Sequence, residues 1–170
     1  MQYKVLTLTQ PWATLVAIGA KKIETRSWST SYRGPLAIHA ADGLGPVGGL
    51  DGLADLIRRE PFKSALGDLI RDTQRPTWVT TERLPRGAIV AACELIDCRE
   101  VVENRTQVDN YWRAYEGLRA VLPPDEPERS FGDYTPGRYA WLLADIRALP
   151  EPIPARGQLG LWTWDGELPI

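Results

Sequence analysis

The sequence predicts an α+β fold in which β predominates. The expected form is a small mixed barrel of about six strands, with a short helix after the first strand and two helical insertions. Three observations carry that expectation. Strand-like runs recur singly along the chain, and irregular connections rather than regular helical crossovers separate them, which argues against a doubly wound parallel sheet. Helical periodicity is confined to short stretches. The 170 residues contain no repeat, linker or low-complexity segment, so 1–170 reads as one domain able to bury roughly 70% of its unfolded surface.

Taken in order, residues 3–8 (YKVLTL) form the first strand. Pro11 then sits where a first helical turn accepts a residue without an N–H, and PWATLVAIGA makes a short helix that Gly19 stops. Alternation makes 22–28 a second strand, SYRG a turn and 35–40 (PLAIHA) a third strand. A glycine-rich stretch over 43–52 precedes two helices, at 50–60 and 62–72, the first with Leu50, Leu53, Leu56 and Ile57 at helical spacing. The turn LPRG leads into the strand AIVAACELID. Residues 105–120 read as a helix with Val108, Trp112, Tyr115 and Leu118 along one side, ended by Pro123, Pro124 and Pro127. The longest strand-like run is 137–149 (GRYAWLLADIRAL), and 158–164 (QLGLWTW) closes the chain.

Composition narrows the function. A net charge of −2 provides no global field toward phosphates, so any nucleic-acid binding needs a local basic patch. Residues 21–33 can supply one, with Lys21, Lys22, Arg26 and Arg33 against Glu24, whereas DEPERSFGD at 125–133 is acidic and would oppose it. Arg58, Arg59, Arg71, Arg75, Arg83 and Arg86 read mostly as a solvated helical face that could extend such a track. Two cysteines, Cys93 and Cys98, stand five apart on one strand and point to opposite faces, so they cannot pair with each other. With a single histidine, a Cys/His zinc site is not expected, and neither metal nor cofactor is. No apolar run reaches the length of a membrane span and no signal-type segment opens the chain. A reducing, cytoplasmic setting is therefore expected.

The stretch GAKKIETRSW, 19–28, carries the chemistry. A period of two places Glu24, Arg26 and Trp28 on one face and Ile23, Thr25 and Ser27 on the other, with Lys21 entering just before. Pattern alone leaves two readings open: the wet side of a sheet, or a face aimed at a ligand. Gly19 folds the chain back at once, which would bring Gln10, Pro11 and Trp12 near the incoming strand. A lysine, a carboxylate, a guanidinium and open helix-start amides can together recognise a base edge or a phosphate. Trp28 could stack on a base or pack beneath the next loop.

The pattern G-x-K-x-x-E-x-R, formed by Gly19, Lys21, Glu24 and Arg26, resembles the signature of the ASCH (activating signal cointegrator homology) family, a branch of the PUA-like superfamily. LTLTQPWATLVAIG is similar to that family's first strand and helix, and GRYAWLLADIRALPEPIPARGQLGLW to its closing strands. The resemblance covers 3–40 and 136–164, leaving 41–87 and 99–135 as member-specific insertions. It implies a PUA-like barrel with a cleft lined by the signature, binding RNA or a nucleotide, with single-stranded DNA as an alternative partner. Lys21 and Arg26 would meet phosphate or a base edge. Glu24 would bind an amine or orient the basic pair, and Gln10 would read polar atoms. Arg138, by similarity to the closing region, would line the cleft.

Some relatives are amidohydrolases acting on N4-acetylcytidine and others are ribonucleases, so the competing reading is a hydrolase with Lys21, Glu24 and Glu94 as its acid–base set. The amidohydrolases carry a threonine nucleophile where this chain has Glu24, which departs from that chemistry. Glu94 is either a solvated strand residue or a partner that shifts the pKa of a lysine. His39 ends the third strand, a position where histidines are usually structural, and stays outside the catalytic set. A protein-interaction module built on the insertions is the third reading.

Overall fold

The computed structural model describes residues 1–74, 80–104 and 120–169. The helix expected over 105–120 falls almost wholly outside them. The fold is the mainly β, mixed one that the sequence predicts. Its strands are hydrogen-bonded in the order β2 (Ile23–Arg26), β6 (Tyr139–Pro154), β4 (Ala88–Val101), β3 (Gly34–Ala40), β1 (Gln2–Leu8) and β7 (Leu161–Asp165), with β5 (Ala120–Val121) on β4, and its helices are short. The backbone packs as two compact units.

The first unit comprises 1–20, 35–93 and 146–170. Here β1 (Gln2–Leu8) runs parallel to β3 (Gly34–Ala40), with Lys4 opposite Leu36, and antiparallel to β7 (Leu161–Asp165), with Val5 opposite Trp162. Val5, Ala37 and Trp162 of these strands are buried in one apolar cluster with Ile89, Ala92 and Leu149. Between β1 and β3 in sequence, α1 (Trp12–Ala17) buries Ala13, Thr14, Leu15 and Val16. Gly19, at φ +76°, ends it as expected, its N–H donating to Val16 O at 2.8 Å.

The first insertion holds α2 (Gly49–Ile57) and α3 (Phe62–Leu66). The single helix expected over 62–72 is cut short, because Gly67 adopts φ +50° and the chain continues as a 3-10 turn over Gly67–Ile70. Among the described residues no helix is long and apolar enough to cross a membrane.

Two long strands, β4 (Ala88–Val101) and β6 (Tyr139–Pro154), contribute residues to both units. The second unit, 21–34 and 94–145, pairs β2 (Ile23–Arg26) antiparallel to β6, and β5 (Ala120–Val121) parallel to the end of β4. Its core joins Val101, Tyr134 and Ala140 with Ile23, Val121 and Leu142 packed against them. Both cysteines are free thiols, as their spacing requires.

Candidate functional site

The signature strand is placed by its register. Ile23, Glu24, Thr25 and Arg26 stand opposite Leu142, Trp141, Ala140 and Tyr139, so the charged residues of β2 are carried on the edge of a ladder whose partner strand is apolar. Glu24 and Arg26 share a side, as alternation predicts, and pair at 3.3 Å between Arg26 Nε and Glu24 Oε1. The Glu24 carboxylate is largely buried, while a quarter (26%) of the Arg26 side chain remains exposed.

Lys21 is fully buried at 0% exposure. Its Nζ donates to Ile23 O and, at 2.9 Å, to Phe131 O, and stands 3.5 Å from Glu24 Oε2. A buried amine needs its donors met, and here two carbonyls and a carboxylate meet them. The structure therefore places the signature lysine as a tie between β2 and the segment around Phe131, with Arg26 the outward-facing member of the trio.

That segment is held by further contacts. The carboxylate of Glu128 accepts the N–H of Lys22 at 2.8 Å and of Ile23 at 3.1 Å. Thr25 Oγ1 accepts the N–H of Asp133 at 3.0 Å. Arg138, 30% exposed along its side chain, pairs with Asp133 at 3.3 Å and donates to Thr25 O at 3.5 Å. Thus the acidic run over 125–133 spends Glu128 and Asp133 on backbone amides and an arginine within the unit. Tyr134 is buried beside them. Burial first, then the charges of Glu128 and Glu24, pushes its phenol well above the ordinary tyrosine value.

Trp28 packs edge-on against Trp141, with ring centroids 4.7 Å apart, and its carbonyl accepts Trp141 Nε1–H at 3.3 Å. Trp141 is the buried partner and Trp28 the half-exposed one. Glu94 is half-buried; burial first, and then the Glu94 charge, raises the Tyr32 phenol. No ion pair joins Glu94 to Lys21 among the described residues. In the other unit, Gln10 is fully buried. Its amide nitrogen donates to Pro85 O at 2.6 Å, and its amide oxygen accepts Thr14 N–H at 3.2 Å, so the side chain folds over the first turn of α1.

Sequence reasoning missed Phe131, Glu128, Asp133 and Tyr134. Phe131, Glu128 and Asp133 meet Lys21, Lys22 and Thr25 from more than a hundred residues away in the chain, Tyr134 joins them through Glu128, and no local spacing announces such contacts. No group of three or more His, Cys, Asp or Glu that could hold a metal ion occurs among the described residues.

A sequence model of the ASCH domain matches residues 6–149. Over 97 residues the chain is 34% identical to activating signal cointegrator 1 of Mus musculus, a stretch that is 55% of this chain and 14% of that protein. The chain thus spans about one seventh of that relative's length. A crystal structure of an ASCH mutant protein from Zymomonas mobilis aligns over 89% of this chain and 74% of that one, at 18% identity and a TM-score of 0.39.

Proposed function

Because this chain belongs to the ASCH domain family, we propose that it binds RNA or a nucleotide on the face where β2 meets the start of β6. One observation carries the reading: the Arg26 guanidinium is partly exposed, yet its Nε stands 3.3 Å from a largely buried carboxylate. A guanidinium held in this way loses little rotamer freedom when a phosphate or a base edge arrives. Arg138 precedes Tyr139, the register partner of Arg26, so a second guanidinium lies at the same end of the ladder. Trp28 and Tyr139 add half-exposed rings on which a base can stack, worth about 1–3 kcal/mol per base.

In this reading Arg26 and Arg138 contact the ligand and Trp28 supports stacking. Lys21 and Glu24 are positioning residues that hold Arg26 and the segment around Phe131 in place. The test is equilibrium binding of a short single-stranded RNA by the wild type, Arg26→Ala and Arg138→Ala. Loss of one phosphate contact should weaken binding about tenfold. Unchanged affinity in both variants, with folding intact, overturns the reading. The hydrolase alternative is tested by incubation with N4-acetylcytidine and with RNA; turnover that is lost in Glu94→Gln would move the assignment from binding to catalysis.

A further inference from the structure

A second cationic site lies within the unit that carries the signature strand. Asp97, on β4, is buried, with 6% of its side chain exposed. Its Oδ1 accepts from Arg33 Nη2 at 3.1 Å and from the Cys98 N–H at 2.9 Å. Its Oδ2 accepts from Arg99 Nε at 2.8 Å. One buried carboxylate therefore holds two guanidiniums, and the cluster keeps a net positive charge.

The two arginines are held differently. Arg33 also donates through Nη1 to the carbonyls of Thr30 at 2.9 Å and Tyr32 at 2.7 Å, which fastens the loop after β2. Arg33 alone would compensate the charge of Asp97 and tie that loop to β4. Arg99 adds a like charge beside it, an arrangement that an arriving anion relieves. It is engaged through Nε only, and its two terminal nitrogens have no hydrogen-bond partner among the described residues. Neither of them is buried, and a third (33%) of the side chain is exposed. The free Nη1–Nη2 edge is a planar fork matched to two oxygens of one oxyanion.

Chain order ties this cluster to the signature strand. The loop that leaves β2 at Arg26 passes through Trp28 and ends at Arg33, just before β3. The basic patch expected over 21–33 thus loses Lys21 to burial, keeps Arg26 and Arg33 at either end of this loop, and gains Arg99 from β4.

We propose that Arg99 and Arg33 form a phosphate site that adds a contact for bound RNA, an inference that rests on the RNA reading above. The Arg99 fork takes two phosphate oxygens, and Arg33 adds its charge. The phosphate is one between nucleotides or one at the 5′ end of the strand.

The test is equilibrium binding of a short single-stranded RNA, in 5′-hydroxyl and 5′-phosphate forms, across a range of salt. Wild type, Arg99→Gln, Arg99→Lys and Arg26→Ala are compared, with folding checked by circular dichroism. Arg99→Gln leaves Asp97 paired with Arg33, so the fold should persist. For a phosphate between nucleotides, Arg99→Gln should weaken the 5′-hydroxyl RNA about tenfold and lower its salt slope by about 0.7. For a terminal phosphate, wild type should prefer the 5′-phosphate RNA about tenfold, and Arg99→Gln should erase that preference. Arg99→Lys keeps the charge and loses the fork, so it should retain the slope while losing affinity. Arg99→Gln that binds both RNAs as wild type does, or that loses affinity with each salt slope unchanged, overturns the proposal. Loss in Arg26→Ala without loss in Arg99→Gln removes this site and leaves the Arg26 contact standing, and the opposite result does the reverse. RNA that wild type does not bind overturns both.

Discussion

Around Lys21 Nζ stand the carbonyls of Ile23 and Phe131 and the carboxylate of Glu24, all within the second unit. Removing the amine leaves a largely buried carboxylate short of its partner, which is the expensive way to break an ion pair. Lys21→Met is therefore expected to destabilise the chain by about 3–5 kcal/mol, measured by denaturant unfolding. Adding Glu24→Gln should restore part of that loss, because the uncompensated charge goes with it. Equal and additive losses would mean that the two groups are not coupled. Tyr134 yields a pH prediction of definite sign. Its folded-state pKa lies above the ordinary tyrosine value of 10.0, so the folded chain holds the phenol proton more tightly than the unfolded chain does. Stability from this group is complete below pH 10.0 and declines as the pH climbs past it. Tyr134→Phe should flatten the alkaline limb of the stability profile, and an absorbance titration should show one tyrosine that resists ionisation until unfolding. At this scale the sequence was informative about grouping and silent about depth. A period of two placed Glu24 beside Arg26, but nothing in GAKKIETR distinguishes the enclosed Lys21 from the half-open Arg26. That difference is set by Phe131, 110 residues downstream.

Among the elements, β6 shows how a sequence rule can be right locally and still miss a boundary. The run expected to end at 149 continues to Pro154, through Pro150, Pro152 and Pro154. Prolines two apart lose N–H groups that all point to the same edge of a strand, so pairing on the other edge survives. Just past them, Ala155 still donates to Gly87 O at 3.0 Å. The helix cut at Gly67 is the converse case, in which one left-handed glycine outweighed an apolar stripe. β1, α1, β3, β4 and β7 were legible because short runs of apolar and β-branched residues, or in α1 a glycine stop, marked each of them. The 3-10 turn over Glu128–Phe131 was not, since its residues serve β2 rather than their own periodicity. The segment it belongs to passes close to the signature strand at Gly132, where a methyl group would meet the Tyr134 ring at 2.8 Å and Thr25 at 3.1 Å. Its φ is extended, so the obstacle is purely steric. Gly132→Ala is expected to cost about 1–3 kcal/mol by thermal or denaturant melting. An unchanged midpoint would show that the segment is not packed against β2.

For the whole molecule, charge decides what binding must look like. A chain of net charge −2 cannot draw in nucleic acid by its overall field, so affinity has to come from a few placed cations. Two of the acidic residues that would oppose them, Glu128 and Asp133, are turned onto backbone amides and Arg138 within the second unit. The account therefore implies a shallow salt dependence from few phosphate contacts, not the steep one of a basic protein. The most direct measurement is the salt slope of single-stranded RNA binding for the wild type and Arg26→Ala, with folding of both checked by circular dichroism. The account predicts a measurable wild-type slope that falls by about 0.7 when Arg26 is removed, the contribution of one phosphate contact on a single strand. Wild type and variant binding with the same affinity and the same slope would contradict it.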